Sequence, residues 1–157
     1  GKQSGRSIEI QRLIGRAIRT IVDLKKIEGC QFILDCDVLQ ADGGTRTASI
    51  SGAFVALSLA VSKLLSDGII KYNPIKDSIS AISCGIFKNE ILVDLDFDED
   101  SKADVDANFI FSKKSGISEI QISGEKSNFT QDQVNKMIEL CMQASKKIFE
   151  AQSKVIG

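Results

Sequence analysis

Histidine is absent from the 157-residue sequence. Its absence excludes Ser-His-Asp and Cys-His catalysis and histidine metal sites, so any general acid or base must be a carboxylate, lysine, tyrosine or cysteine. The four cysteines form no Cys-x-x-Cys pair, which argues against a zinc site and against thioredoxin-type chemistry. Cys36 and Cys141 fall on apolar stripes, and we expect both to lie in the core.

Long hydrophobic runs are also missing. The N-terminus lacks an apolar segment of the kind that directs secretion. The longest uncharged apolar stretch, residues 47–62, has 16 residues and is too short and too rich in small residues to span a membrane comfortably. We therefore expect a cytoplasmic protein with no membrane partner.

The net charge of −1 does not indicate a nucleic-acid partner, but the charges are unevenly distributed. Residues 1–26 contain seven Lys/Arg and two acids, whereas residues 94–106 contain seven acids and one Lys. A basic segment beside an acidic one suits a phosphate site next to a metal site. Two solvated faces are the alternative interpretation.

The length and a hydrophobic content of 43% predict one globular domain, residues 1–157. Hydrophobic periodicity predicts helices and strands in the order α-β-α-β-β-β-β-α. The predicted elements are helices over 6–25, over 46–66 and from 130 onward, a strand over 31–39, and three or four strands within 80–124. Thr130 with Gln133 predicts a capping box. This order indicates an α+β fold with a mixed β-sheet covered by helices.

A glycine turn, Gly43-Gly44, follows the predicted strand and opens the second predicted helix. The free N–H groups at a helix N-terminus and the helix dipole favour an anion there. Thr45 adds a hydroxyl donor, and Arg46 adds a planar fork of donors that matches phosphate. The turn therefore predicts a phosphate site. The alternative is a plain strand-to-helix turn in which Asp42 or Thr45 caps the helix.

Further arginines and acids complete the candidate set. Arg6 lies in the first turn of a predicted helix, where its charge opposes the helix dipole and hints at a nearby anion. The acids within residues 94–106 do not have the spacing of a calcium loop, but they would repel one another unless a cation neutralises them. Carboxylates of this kind suit Mg²⁺, and a solvated hairpin is the alternative. The stripe formed by Arg12, Arg16 and Arg19 favours a solvated face or a subunit interface.

The same residues resemble a known family. Residues 35–49, Asp-Cys-Asp-Val-Leu-Gln-Ala-Asp-Gly-Gly-Thr-Arg-Thr-Ala-Ser, resemble the ribonuclease PH family. Residues 5–16 match it upstream, and Glu99-Asp100-Ser101, Asp106, Asn108 and Glu119-Ile120-Gln121 match it downstream in the same order. The resemblance implies a ribonuclease PH-like βαβα fold. It further implies that residues 1–157 are the C-terminal two-thirds of such a protein, a partial domain without the family's N-terminal strands.

The resemblance also implies an activity. It is phosphate-dependent 3′–5′ exoribonuclease action that trims tRNA precursor 3′ ends and releases nucleoside diphosphates. The implied partners are RNA, inorganic phosphate as co-substrate, Mg²⁺ as cofactor and further copies of the chain in a hexameric ring. The positions that match the family's site are Arg6, Gly44, Thr45 and Arg46 for phosphate, and Asp100 and Asp106 for catalysis and metal. A non-catalytic RNA-binding ring subunit of the exosome type and an inactive fragment are the alternatives.

Overall fold

A computed structural model describes residues 5–157 of the chain. The first four residues of the predicted domain, with Lys2 of the basic segment, lie outside the described residues. The helices are α1 (Gly5–Ile21), α2 (Thr45–Ser66), α3 (Phe97–Asp100) and α4 (Gln131–Ile156), with a 3-10 helix at Leu24–Ile27. The strands are β1 (Ile79–Phe87), β2 (Glu90–Val93), β3 (Val105–Ser112) and β4 (Gly116–Gly124).

Within residues 5–157, the four strands form one sheet in the order β2-β1-β3-β4. The α+β class and the helix-covered sheet are therefore confirmed. Every neighbouring pair is antiparallel, however, where a mixed sheet was expected. The reason lies in the connections, because β1 joins β2 through a turn at Lys88 and Asn89, both with positive φ, and such a hairpin pairs strands only in antiparallel fashion.

Helices cover both faces of the sheet. α1 and α2 pack on one face, in a cluster that includes Leu13 and Ile50. α4 packs on the other face, where Met137 and Cys141 meet Phe109 of β3. Cys141 is fully buried, as its position on an apolar stripe predicts.

The ends of the helices follow local sequence signals. α4 starts directly after Thr130, whose hydroxyl and the side chain of Gln133 form the predicted capping box. The first predicted helix, over 6–25, is shorter than expected. α1 ends at Ile21 because Asp23 caps a separate 3-10 helix by accepting a hydrogen bond from the Lys25 N–H.

α2 is the most apolar helix of the chain. With 22 residues and a mean hydropathy of 1.7 over its most apolar window, it is long and apolar enough to cross a membrane by length and composition alone. A helix in the core of a globular protein has the same properties. Ile50, Phe54 and Leu57 of α2 are buried in the cluster with α1 and β1, so α2 forms the centre of this layer.

The predicted strand over residues 31–39 is wrong, because that segment has no regular secondary structure. A strand needs a neighbour for its N–H and C=O groups, and none of the strands within residues 5–157 pairs with it. Part of its alternation persists, since Phe32 and Leu34 pack against the α1–α2 cluster while Ile33 is exposed. Cys36 is exposed as well, so the prediction of a core position for it is also wrong.

The glycine turn before α2 lies in backbone contact with the segment between β2 and α3. A Cβ atom at Gly43 would lie only 1.8 Å from the carbonyl oxygen of Leu95. Only glycine permits this approach. The contact fixes the start of α2 against the acidic segment of the chain.

We expect Gly43→Ala to destabilise the fold by about 1–3 kcal/mol or more, because the added methyl group forces two backbone segments apart. Gly52→Ala is the matched control. Gly52 lies in the middle of α2 with nothing within 4 Å of an added Cβ, so its replacement should raise stability by up to about 1 kcal/mol. Urea denaturation measures both, and equal effects would contradict the close contact at Gly43.

Candidate functional site

The N-terminus of α2 carries no side-chain cap. Its N-cap residue is Gly44, with a φ of 67° and no side-chain hydrogen bond to the helix. The carboxylate of Asp42 instead accepts a hydrogen bond of 2.8 Å from the N–H of Phe97. The alternative that Asp42 or Thr45 caps the helix is therefore wrong. Within the described part of the chain, no side chain accepts a hydrogen bond from the first N–H groups of α2. A helix N-terminus in this state attracts an anion.

Arg46, in the first turn of α2, lies between two carboxylates from other elements. Its Nη1 is 3.6 Å from Glu9 Oε1 of α1, and its Nη2 is 3.6 Å from Asp106 Oδ2 of β3. Both distances are too long for hydrogen bonds. No hydrogen bond donated by Arg46 occurs within residues 5–157, so the donors of its guanidinium group remain available to a ligand.

The ion pair with Glu9 also locates the start of α1. Glu9 follows Arg6 by three residues on the same helix, so the two side chains share a face. The fold therefore brings the N-terminal part of α1, which contains Arg6, toward the first turn of α2, although Arg6 and Arg46 are far apart in the sequence. Arg6 itself is exposed.

Asp106 and Asp100 form the acidic side of the site. Asp106 is on β3, with its side chain 22% exposed, and Asp100 is the last residue of α3. Burial raises the pKa of Asp106 above its usual value, Arg46 opposes this rise, and Asp100, Glu125 and Glu9 reinforce it. Burial and several nearby acids thus disfavour the negative charge of Asp106, and the single guanidinium group of Arg46 offsets this effect only in part.

These acids fit one kind of cation site and not another. Within the described part of the chain, no group of three or more His, Cys, Asp or Glu side chains is arranged to hold a metal ion. A Ca²⁺ cage, which needs six to eight oxygen ligands, is therefore not formed by these residues. Mg²⁺ keeps several waters and needs only one or two carboxylates. Asp106 and Asp100, whose mutual repulsion a cation would relieve, fit that requirement.

A polar row underlies the start of α2. Ser83, Asn108 and Gln121 lie opposite one another across β1, β3 and β4, on the face that α1 and α2 cover. The hydroxyl of Ser83 is buried, has no hydrogen-bond partner among residues 5–157, and lies 3.4 Å from the position of a Cβ on Gly44. Sequence reasoning missed Ser83, Glu9 and Glu125. Only the strand register and the helix packing reveal them.

The basic stripe of α1 is partly used within the chain. Arg16 forms an ion pair with Glu119 of β4. The amide of Gln121 also donates to Glu119, at 3.1 Å. Arg12 and Arg19 are exposed, and an interface role for them stays a prediction.

Two family models match this chain. One, described as "3′ exoribonuclease family, domain 1", matches residues 1–63, and the other, "3′ exoribonuclease family, domain 2", matches residues 77–144. The chain is also 48% identical over all 157 residues to ribonuclease PH from two strains of Caulobacter vibrioides. It belongs to the ribonuclease PH family. The chain spans 66% of the length of these ribonuclease PH relatives.

Solved structures share the ribonuclease PH-like fold. Rice (Oryza sativa) Rrp46 superimposes with a TM-score of 0.72 at 18% identity, covering 99% of this chain and 68% of the rice chain. An Archaeoglobus fulgidus exosome with RNA bound to the active site gives 0.70 at 22% identity, covering 96% and 63%. An archaeal exosome core gives 0.69 at 21% identity, covering 94% and 64%. At these identities the likeness concerns the fold alone.

The raised pKa of Asp106 has a consequence for stability. Because the folded state favours the protonated carboxyl, stability falls as the pH rises from the ordinary value of 3.8 through the raised pKa. Above that range the full cost of the charge is present. We expect Asp106→Asn to raise Tm at neutral pH, and in a domain of this size each 1 kcal/mol gained corresponds to roughly 2–4 °C.

The pH dependence of Tm tests whether the buried charge of Asp106 causes the difference between the wild type and Asp106→Asn. Below a pH of about 3.8 the wild-type carboxyl is protonated in both states, so the advantage of Asp106→Asn should disappear. Asp98→Asn is the matched control, because Asp98 belongs to the same acidic segment but its side chain is 84% exposed. A lower Tm for Asp106→Asn at neutral pH would show that its ion pair with Arg46 outweighs its burial.

Proposed function

We propose that this chain carries the active site of a phosphate-dependent 3′–5′ exoribonuclease. The observation that carries the proposal is the placement of Arg46, which donates no hydrogen bond within residues 5–157, at the uncapped N-terminus of α2 and within 3.6 Å of Asp106. A helix N-terminus with an adjacent guanidinium group is suited to bind inorganic phosphate. In this proposal Gly44, Thr45 and Arg46 bind phosphate, and Arg6 approaches it from α1.

The proposed reaction exchanges one phosphorus–oxygen bond for another. An oxygen of inorganic phosphate attacks the phosphorus of the last phosphodiester of the RNA. The bond from that phosphorus to the 3′ oxygen of the preceding nucleotide breaks, and the 3′ oxygen takes up a proton. The products are a nucleoside diphosphate and an RNA that is one nucleotide shorter. Positioning and charge neutralisation account for most of the catalysis of phosphoryl transfer.

The proposal assigns the acidic side of the site to catalysis and metal binding. Asp100 and Asp106 would hold Mg²⁺, which stabilises developing negative charge on phosphoryl oxygens when it is bound. Asp106 is the better candidate for moving a proton, because burial raises its pKa toward neutrality.

The RNA substrate, the oligomeric state and the location in the cell that the family resemblance implies belong to the same proposal. We infer that the substrate is the 3′ end of tRNA precursors, that residues 1–157 belong to a ribonuclease PH-like domain of a hexameric homo-oligomeric ring, and that the protein acts in the cytoplasm. A non-catalytic ring subunit of the exosome type is the second candidate, on account of the exosome folds that resemble this chain. The presence of Arg46, Asp100 and Asp106 favours the enzyme.

We expect Arg46→Ala to lower kcat/KM for phosphate roughly 10- to 150-fold, the equivalent of about 1.5–3 kcal/mol for a charge-assisted hydrogen bond. Arg46→Lys should restore only part of the activity because the ammonium group lacks the planar fork. The measurement follows nucleoside diphosphate released from an oligoribonucleotide with increasing inorganic phosphate.

Lys63→Ala serves as the control, since Lys63 is a cation on α2 near its opposite end and pairs only with Asp67 within the described residues. Its kinetics should equal those of the wild type. Release of nucleoside monophosphates without phosphate would mean that the chain hydrolyses RNA instead. If the Arg46 variants shorten RNA with the same kcat/KM for phosphate as the wild type, phosphate does not bind at Arg46.

The metal assignment is tested separately. Asp100→Asn and Asp106→Asn should each lose Mg²⁺-stimulated shortening while RNA binding is retained, because each removes a ligand oxygen's charge and leaves the side-chain shape nearly unchanged. Asp98→Asn removes the same charge from an exposed side chain and should retain the wild-type response. An unchanged Mg²⁺ dependence in all three variants would contradict the assignment.

A further inference from the structure

Phe97 is an exposed aromatic residue at the edge of the candidate site. Its residue exposure is 64%, and the other seven phenylalanines of the chain are buried or half-buried. Leaving an apolar ring in water forgoes the stabilisation that its burial would contribute. Neither the phosphate site nor the acidic side of the site uses this ring.

The position of Phe97 is fixed by contacts that connect it to the proposed active site. Its N–H donates to Asp42, which precedes the glycine turn of the phosphate site. α3 is held by a capping box between Asp96 and Glu99. Phe97 precedes Asp100 by three residues in α3, roughly 4.5 Å along the helix axis. The backbone of Phe97 is thus held at a defined place, from which the exposed ring lies beside the residues proposed to act on phosphate.

The charges around the ring restrict what can contact it. Asp96, Asp98 and Glu99 flank Phe97 in the chain, and no cation other than Lys102 pairs with an acid of α3 within residues 5–157. A phosphate group would be repelled at this position. The face of a nucleobase is uncharged and stacks on aromatic side chains. The exocyclic amino groups of bases can donate hydrogen bonds to the neighbouring carboxylates.

We propose that the ring of Phe97 is a stacking platform for a nucleobase at the 3′ end of the RNA. The inference rests on the proposed function, because it deepens the description of the same site. Arg46 and the start of α2 bind phosphate on the basic side, and Phe97 receives a base on the acidic side. Since every base has a stacking face, this contact contributes affinity without sequence selectivity.

The test compares two RNAs and several variants of the chain. Phe97→Ala should raise the Kd and KM for a short oligoadenylate roughly 5- to 150-fold, the range expected for one base–aromatic contact. Phe97→Leu, which keeps apolar bulk without a ring, should show most of this loss, and Phe97→Tyr should show little. An oligoadenylate that lacks its terminal base should bind Phe97→Ala and the wild type equally. The KM for inorganic phosphate should not change in any variant.

A fluorescence readout is direct because the sequence contains no tryptophan. Phe97→Trp makes the ring the single indole of the chain, and its emission should change when oligoadenylate is added but not with phosphate alone or with the RNA that lacks its terminal base. Tyr72→Ala is the matched control, since Tyr72 is an equally exposed aromatic residue beyond the opposite end of α2. Its RNA affinity should equal that of the wild type.

The outcomes separate this inference from the proposed function. If wild-type protein neither binds RNA nor shortens it with phosphate, the proposed function and the stacking platform are both wrong. If wild-type protein shortens RNA but Phe97→Ala behaves as Tyr72→Ala does, the platform alone is wrong. Full activity of Phe97→Leu would show that apolar bulk, not stacking, is what the site requires.

Discussion

The close approach of Gly43 to the backbone of Leu95 is the contact on which the arrangement of the site depends. It holds the turn before α2 against the segment between β2 and α3. The hydrogen bond from the Phe97 N–H to Asp42 fastens the same two segments a few residues away. A side chain at position 43 would separate the N-terminal end of α2, the proposed phosphate site, from the acids that follow β2. The site is therefore a junction between two loops, and glycine is the residue that permits it.

The use of Asp42 explains why α2 begins without a cap. An aspartate just before a helix ordinarily satisfies the first N–H groups. Here the carboxylate of Asp42 accepts a hydrogen bond from the Phe97 N–H of α3. Gly44 takes the N-cap position and has no side chain that could accept a hydrogen bond from the helix. The helix loses the contribution of a cap, about 1 kcal/mol. The first N–H groups of α2, which a cap would occupy, are therefore available for an anion beside the guanidinium group of Arg46.

The electrostatics of the site divide it into two sides. Arg46 is the positive centre, between Glu9 and Asp106. Asp106 is half-buried among further acids, and burial is the main reason that its pKa is raised. The unsatisfied hydroxyl of Ser83 below Gly44 is a second group whose burial is not compensated. Uncompensated polar groups lower stability, and a perturbed carboxyl such as that of Asp106 is typical of a functional site.

Local sequence signals determined much of this protein. The helical periodicity of α1, α2 and α4, the capping box at Thr130 and the alternation within residues 80–124 all follow from interactions between residues close in the chain. The family's motifs predict a phosphate-binding turn at Gly43-Gly44 and roles for Asp100 and Asp106, and these assignments stay predictions. The strand predicted over 31–39 was wrong because alternation indicates a strand only where a neighbouring strand supplies hydrogen bonds.

Tertiary structure decided the rest. No local pattern shows that Asp42 turns toward α3, that Glu9 of α1 meets Arg46, or that Ser83 lies beneath Gly44, since each pair is separated by tens of residues. The sequence also does not distinguish Phe97 from seven other phenylalanines. Its exposure depends on the docking of α3 against the glycine turn. The sequence by itself thus determined which groups are present and which segments are regular, whereas packing over long sequence separations decided which groups meet and which remain free to bind a ligand.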